Sequence, residues 1–125
     1  MPVEYRTLFQ AANDTLSSSQ CIVIDAPFIS FFHDRSYIRN QCEILNWIDV
    51  TIIVVEVSAS LNVTKERLTQ RGEERDLWKL DNWNTFSQRI SSQRCHWEGV
   101  TRFSFDNSSL TPNVIDLVQM IKSTL

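Results

Sequence analysis

Two apolar runs limit the folds open to this sequence more than any other feature: Cys21-Ile22-Val23-Ile24, closed by Asp25, and Thr51-Ile52-Ile53-Val54-Val55-Glu56-Val57. Neither alternates regularly between apolar and polar positions, so each suits a strand covered on both faces, which is the condition of a parallel sheet. Pro27 stops the first run. Around these runs the apolar residues recur at helical spacing. Tyr5, Leu8, Phe9, Ala12 and Leu16 make one stripe over residues 3–18, ended by Ser17, Ser18 and Ser19. Asp34 is placed to cap a second helix that turns Ile38, Cys42, Leu45 and Ile48 inward. A charged helix is expected over 62–71. One or two short helices follow across 72–94, with Trp78, Trp83 and Phe86 spaced as anchors. Thr101–Phe105 alternates and ends at Asp106-Asn107, as a shorter or edge strand does. Thr111 and Pro112 open a last helix carrying Val114, Leu117, Val118, Ile121 and Leu125 on one side.

Strands alternating with helices predict one α/β domain over residues 1–125, a three-layer parallel sheet with helices on both faces. Ligands of such sheets bind beyond the carboxyl ends of the strands, which selects residues 25–39, 58–60 and 106–109.

Composition removes several function classes. The formal charge of −3 gives no general basic excess, and eight cations between positions 65 and 102 are interleaved with six acids, so neither nucleic acid nor an anionic membrane is an expected partner. No apolar stretch approaches the roughly 20 residues that span a bilayer, and the start MPVEYRTLFQ has no cationic segment followed by an apolar run. Cys21, Cys42 and Cys95 lie too far apart for a CxxC pair, which points to a reducing, cytoplasmic setting. With only Gly72 and Gly99, neither GxxxxGK[ST] nor GxGxxG occurs.

Several residues are candidates for chemistry. Asp25, at the mouth of a buried run, suits a magnesium ion held directly or through water, and equally suits the capping of a turn. Arg67, Arg71, Arg75 and Lys79 recur every four residues, so a continuing helix would stack them. Like charges at that spacing cost a few tenths of a kcal/mol per pair, which calls for neighbouring acids or an anionic ligand. Glu66, Glu73, Glu74 and Asp76 could serve as the first, while a bidentate arginine grip on phosphate would answer to the second. Arg35 and Arg39, one turn apart, suit an anionic or hydroxylated group, or an ordinary solvated helix face. Phe28, Phe31 and Phe32 form either a base-stacking pocket or a core plug. His33 and His96 have no partner at metal-ligand spacing and read as structural or exposed.

The segments CIVIDAPF, DRSYIR, TIIVVEVSAS, ERLTQRGEERDLWKLDNWNTF and FSFDNS resemble the C-terminal two thirds of a P-loop kinase, closest to the ATP-binding kinase-like proteins of the zeta-toxin, nucleoside-kinase and chloramphenicol-phosphotransferase type. The resemblance covers about residues 3–124. It implies a truncated P-loop NTPase-like fold that uses ATP and Mg2+ to phosphorylate a small hydroxylated acceptor, with residues 72–94 as a lid-like insert. Within it, Arg71 and Arg75 would be the catalytic arginines that reach the nucleotide phosphates. Asp25 would serve magnesium or the acceptor hydroxyl. Arg35 would lie on the acceptor side, with Arg39 and Phe28 beside it, and Asp106 and Asn107 would stand near the base. The family's first strand and its glycine-rich Walker A loop are missing from this sequence. In the family that strand lies centrally, between the segments matching 21–25 and 51–57, and at about 4.8 Å per strand its absence leaves a gap near 10 Å. Direct pairing of the neighbours, a strand-donating partner or homodimer, or further polypeptide would close it. Phosphotransfer by this chain is accordingly expected to be weak or absent. The alternative is a noncatalytic protein-interaction module that uses an open sheet edge or the tryptophan-rich 77–97 face.

Overall fold

The computed structural model describes residues 3–16 and 21–125, and the predicted helix end at Ser17–Ser19 lies outside them. Among the described residues, the buried centre is built from aromatic rings rather than from a sheet. Phe9, Tyr37, Ile38, Cys95 and Trp97 pack together, each at most 6 % exposed, with Phe28, Phe31, Phe32 and Trp47 against them. The Tyr37 ring stacks on Phe31 at 4.8 Å and on Trp97 at 5.1 Å between centroids. Such pairs contribute about 0.5–1.5 kcal/mol each beyond the area they bury. The indole of Trp97 donates to the Phe31 carbonyl at 2.9 Å, and that of Trp47 to Asn13 Oδ1 at 2.8 Å, so neither buried N–H is left unpaired.

Helix α1 (Val3–Leu16) buries Phe9 and Ala12 of its predicted stripe. Helix α2 (Tyr37–Leu45) buries Tyr37, Ile38 and Gln41. It is shorter than predicted, because Asn46 turns left-handed (φ 57°) and caps it by donating its N–H to the carbonyls of Cys42 and Glu43. Ile48 is consequently 89 % exposed instead of inward. Asp34 does not cap the helix; its Oδ1 accepts from Ser36 N at 3.1 Å in the preceding turn.

Strand β1 (Ile53–Ser58) leads into helix α3 (Leu61–Arg71), which starts at a Ser60 cap accepting from Val63 N and stops at left-handed Gly72 (φ 63°). A 3-10 turn, Glu74–Asp76, then leads to α4 (Leu77–Asp81) and α5 (Trp83–Ser92), the short helices expected across 72–94. Strand β2 (Thr101–Asp106) runs parallel to β1 in register from Ile53↔Thr101 to Ser58↔Asp106. Helix α6 (Val114–Ser123) begins later than predicted. Asn113 is its cap, accepting from Asp116 N at 3.2 Å, in place of Thr111.

The fold is therefore mixed α/β, with six helices and a two-stranded parallel sheet among the described residues. The run Cys21–Asp25 is a correction to the reading above, since it forms no strand. It alternates instead, with Ile22 and Ile24 half-buried and Cys21, Val23 and Asp25 exposed, Val23 to 86 %. Only Ile24 packs on the aromatic centre. An apolar run makes a two-sided strand only where neighbours pair its backbone and cover both faces, and here neither condition holds. Among the described residues no helix is long and apolar enough to cross a membrane.

The Tyr37 hydroxyl is buried with no hydrogen-bond partner among the described residues, and its pKa is pushed up to about 12, first by burial and then by Tyr5 and Asp34. An orphaned buried hydroxyl is destabilising, so Tyr37→Phe is expected to stabilise the fold by about 1 kcal/mol in chemical denaturation. A loss of stability would show that the hydroxyl has a native partner.

Candidate functional site

Parallel pairing puts the carboxyl ends of β1 and β2 side by side, and their loops are cross-linked there. Asn107 N donates to Ser58 O at 2.7 Å, continuing the ladder past the register. The Ser108 hydroxyl accepts from Ser60 N at 2.7 Å and donates to Asp106 Oδ1 at 2.5 Å, while Ser108 N donates to the same oxygen at 2.9 Å. Asp106 is thus the acceptor of an Asx turn, and the Ser108 hydroxyl and N–H hold its carboxyl below the usual carboxylate range. Arg67 reaches across from α3 and donates to the carbonyls of Ser108 and Ser109 at 3.4 and 3.5 Å. Asp106 and Asn107 therefore build the mouth of the sheet. Asp106 Oδ1 and the Asn107 N–H are engaged within it.

The cationic row does not continue along one helix. Gly72 ends α3 one residue after Arg71, and the chain doubles back through the 3-10 turn. That turn brings in Asp76, the one fully buried side chain among the described residues. Arg71 Nε and Nη2 lie 2.7 and 2.5 Å from Asp76 Oδ2, and Lys79 Nζ is 3.2 Å from Oδ1. Both carboxylate oxygens are therefore satisfied by cations, as burial of a charge requires. The Arg71 hydrogen bond depresses the Asp76 pKa, burial opposes it and Lys79 adds to the depression, while the Asp76 hydrogen bond raises the pKa of Arg71. Arg75 turns outward onto Glu73 at 2.6 Å. The row is neutralised locally, with five cations and five acids between positions 65 and 81. The aromatic anchors of the insert lie under cations too: Lys65 over Trp83 at 5.6 Å, Lys79 over Phe86 at 5.5 Å and Arg89 over Trp78 at 5.4 Å.

The acceptor-side candidates lie elsewhere in the interaction network. Arg35 and Arg39 both pair with Glu98, at 3.7 and 3.5 Å, and all three are more than half exposed, so these pairs add little stability. Phe28, at φ 47° in the left-handed region, stacks on Tyr5 at 4.9 Å and meets Trp97 edge-on at 5.5 Å. Its ring is occupied by protein on both contacts, as a core plug is. Asp25 is exposed and forms no hydrogen bond or ion pair among the described residues.

No group of three or more His, Cys, Asp or Glu among the described residues is arranged to hold a metal. Magnesium in phosphoryl-transfer sites is held by one or two carboxylates together with substrate phosphates and water, so exposed Asp25 could supply a single ligand, with phosphates and water supplying the rest. Ser108 and Glu98 are organising residues that the sequence reading did not name, whereas Asp76 stood there as one of four acids able to neutralise the row, and its spacing, five after Arg71 and three before Lys79, is the signal that marks it among them. Comparison of the chain with protein-family models, with curated proteins and with solved structures found no match.

Because the folded-state pKa of Asp76 is depressed, its stabilising effect is present in full above the ordinary carboxylate value of 3.8 and is lost as pH falls below that towards the depressed value. Asp76→Asn should therefore be less stable at neutral pH and should flatten the acid limb of a circular-dichroism unfolding curve below that value. An unchanged acid limb would mean that the Arg71–Asp76–Lys79 cluster does not hold the turn.

Proposed function

We propose that this chain is a degenerate P-loop kinase-like domain, related to ATP-dependent phosphotransferases that act on a small hydroxylated acceptor, with little or no phosphotransfer activity of its own. The carrying observation is the crossover β1–α3–α4–α5–β2. Its two strands are parallel, and the arginine-bearing helix leaves from the carboxyl end of β1, where α/β sheets bind ligands. Arg71 and Arg75, about 41 % and 68 % exposed, keep guanidinium surface on offer to an anion. Their pairing with Asp76 and Glu73 weakens the attraction, because a phosphate must compete with a carboxylate already in place. No glycine loop supplies a nest of backbone N–H groups for the terminal phosphates. In this reading a strand added beside β1 restores the three-layer parallel sheet, in a cytoplasmic setting.

A second reading is favoured by one observation. Among the described residues β1 has β2 on one side and no strand on the other, and Ile53–Ser58 carries neither lysine nor proline to protect that edge. A noncatalytic interaction module would use this edge, through a strand-donating partner or a second copy. The tryptophan-rich face suits that role less well than the sequence suggested, because Trp97 is 5 % exposed and belongs to the core.

Calorimetric titration with MgATP tests the first reading. Binding should be no tighter than millimolar and should weaken further in Arg71→Ala and Arg75→Ala. Micromolar binding would overturn the inactivity claim, and weak binding indifferent to both substitutions would remove the phosphate-facing role of the two arginines.

A further inference from the structure

Two histidines separated by 63 positions meet in the fold. His33 follows the 3-10 turn Ile29–Phe31, and His96 lies in the extended stretch before β2. Their ring centroids are 5.4 Å apart, with an angle of 26° between the planes. Both residues are exposed. The backbone around them is fixed from two sides: His96 N donates to Phe32 O at 2.8 Å, and Glu98 N donates to Arg35 O at 2.9 Å. Between these two bonds the buried Trp97 anchors its strand of chain through its indole N–H on Phe31 O, and it meets Phe32 edge-on at 6.2 Å. Both Cβ positions are therefore set by the aromatic centre, while the two rings stand in solvent.

We propose that His33 and His96 form a two-imidazole site for a borderline divalent cation of the zinc or nickel class, with water completing the coordination. An imidazole nitrogen lies about 2.0–2.1 Å from zinc, which puts its ring centroid about 3.2 Å from the metal, so two imidazoles at a tetrahedral angle have centroids about 5.2 Å apart. The observed separation of 5.4 Å is within a small side-chain rotation of that value. The rings are stacked, 26° apart in plane, so their nitrogens converge on one ion after rotation about the side-chain bonds, for which both exposed residues have room. Nearby charges are of both signs. Glu98 pairs with Arg35 and Arg39, Asp34 next to His33 is a carboxylate, Arg94 donates to the carbonyl of Gln93, and Arg102 donates to the carbonyl of Trp97 beside His96. Imidazole nitrogen favours zinc, nickel and copper over magnesium or calcium, so this site is independent of the magnesium expected for a kinase.

The test is calorimetric titration with zinc chloride in a non-chelating buffer at about pH 7.5. One zinc per chain should bind with a micromolar Kd that millimolar magnesium does not alter. His33→Ala and His96→Ala should each weaken binding by at least about tenfold, and the double variant should be little worse than either. Because both side chains are exposed, near-UV circular dichroism should confirm that the variants keep the Trp97 environment. Imidazole proton shifts on adding zinc to the unaltered chain provide a second readout that needs no variant. Cys21→Ser should leave the affinity unchanged. The proposal fails if Cys21→Ser abolishes binding, if either histidine can be removed without loss, or if zinc leaves both imidazole spectra unmoved.

Discussion

The contact between Tyr37 and Trp97 is the constraint on which the other elements depend. It joins the first residue of α2 to the chain just ahead of β2, across 60 positions of sequence, and it brings Phe28, Phe31 and Phe9 around the same centre. The two-stranded sheet cannot play this part. Its residues are half-buried or exposed, and two parallel strands bury too little to stand without support. With Trp97 seated, only three residues separate it from Thr101, so the start of β2 is delivered next to β1 and the register follows. The same seating brings His96 against His33 and Glu98 against Arg35.

A second constraint acts through charge. The crossover between the strands is dense in cations, and the chain stabilises it internally by burying Asp76 between Arg71 and Lys79 and by placing aromatic rings under Lys65, Lys79 and Arg89. The result is an ordered, self-neutralised surface. In the proposed reading the exposed sides of Arg71 and Arg75 are what is left to attract a phosphate, which is why the proposed activity is a residual one.

Much of the secondary structure was legible because its signals are local. The Ser60 cap and Gly72 stop bracket α3, the β-branched run gives β1, and the alternation of Thr101–Phe105 gives β2. The strand expected at Cys21–Asp25 does not form, because an apolar run states that burial is available to it and says nothing about who pairs with its backbone. Boundaries failed where a competing cap won, as with Asn46 over Ile48 and Asn113 over Thr111. Of the candidate site, the acids near the cationic row could be named from sequence, but the choice of Asp76 depends on the left-handed turn at Gly72. The pairing of His33 with His96, and of Glu98 with Arg35 and Arg39, has no trace in local spacing, since it exists only once the aromatic centre has formed.

Native-state amide hydrogen exchange tests this account most directly. If the aromatic centre carries the fold, the slowest amides should be those of Ile38–Leu45 in α2 together with His96, whose N–H bonds Phe32, with the β1–β2 ladder opening at lower free energy. Slowest exchange in Ile53–Ser58 and Thr101–Asp106, with α2 and His96 exchanging like surface loops, would place the stabilising core in the sheet and contradict it.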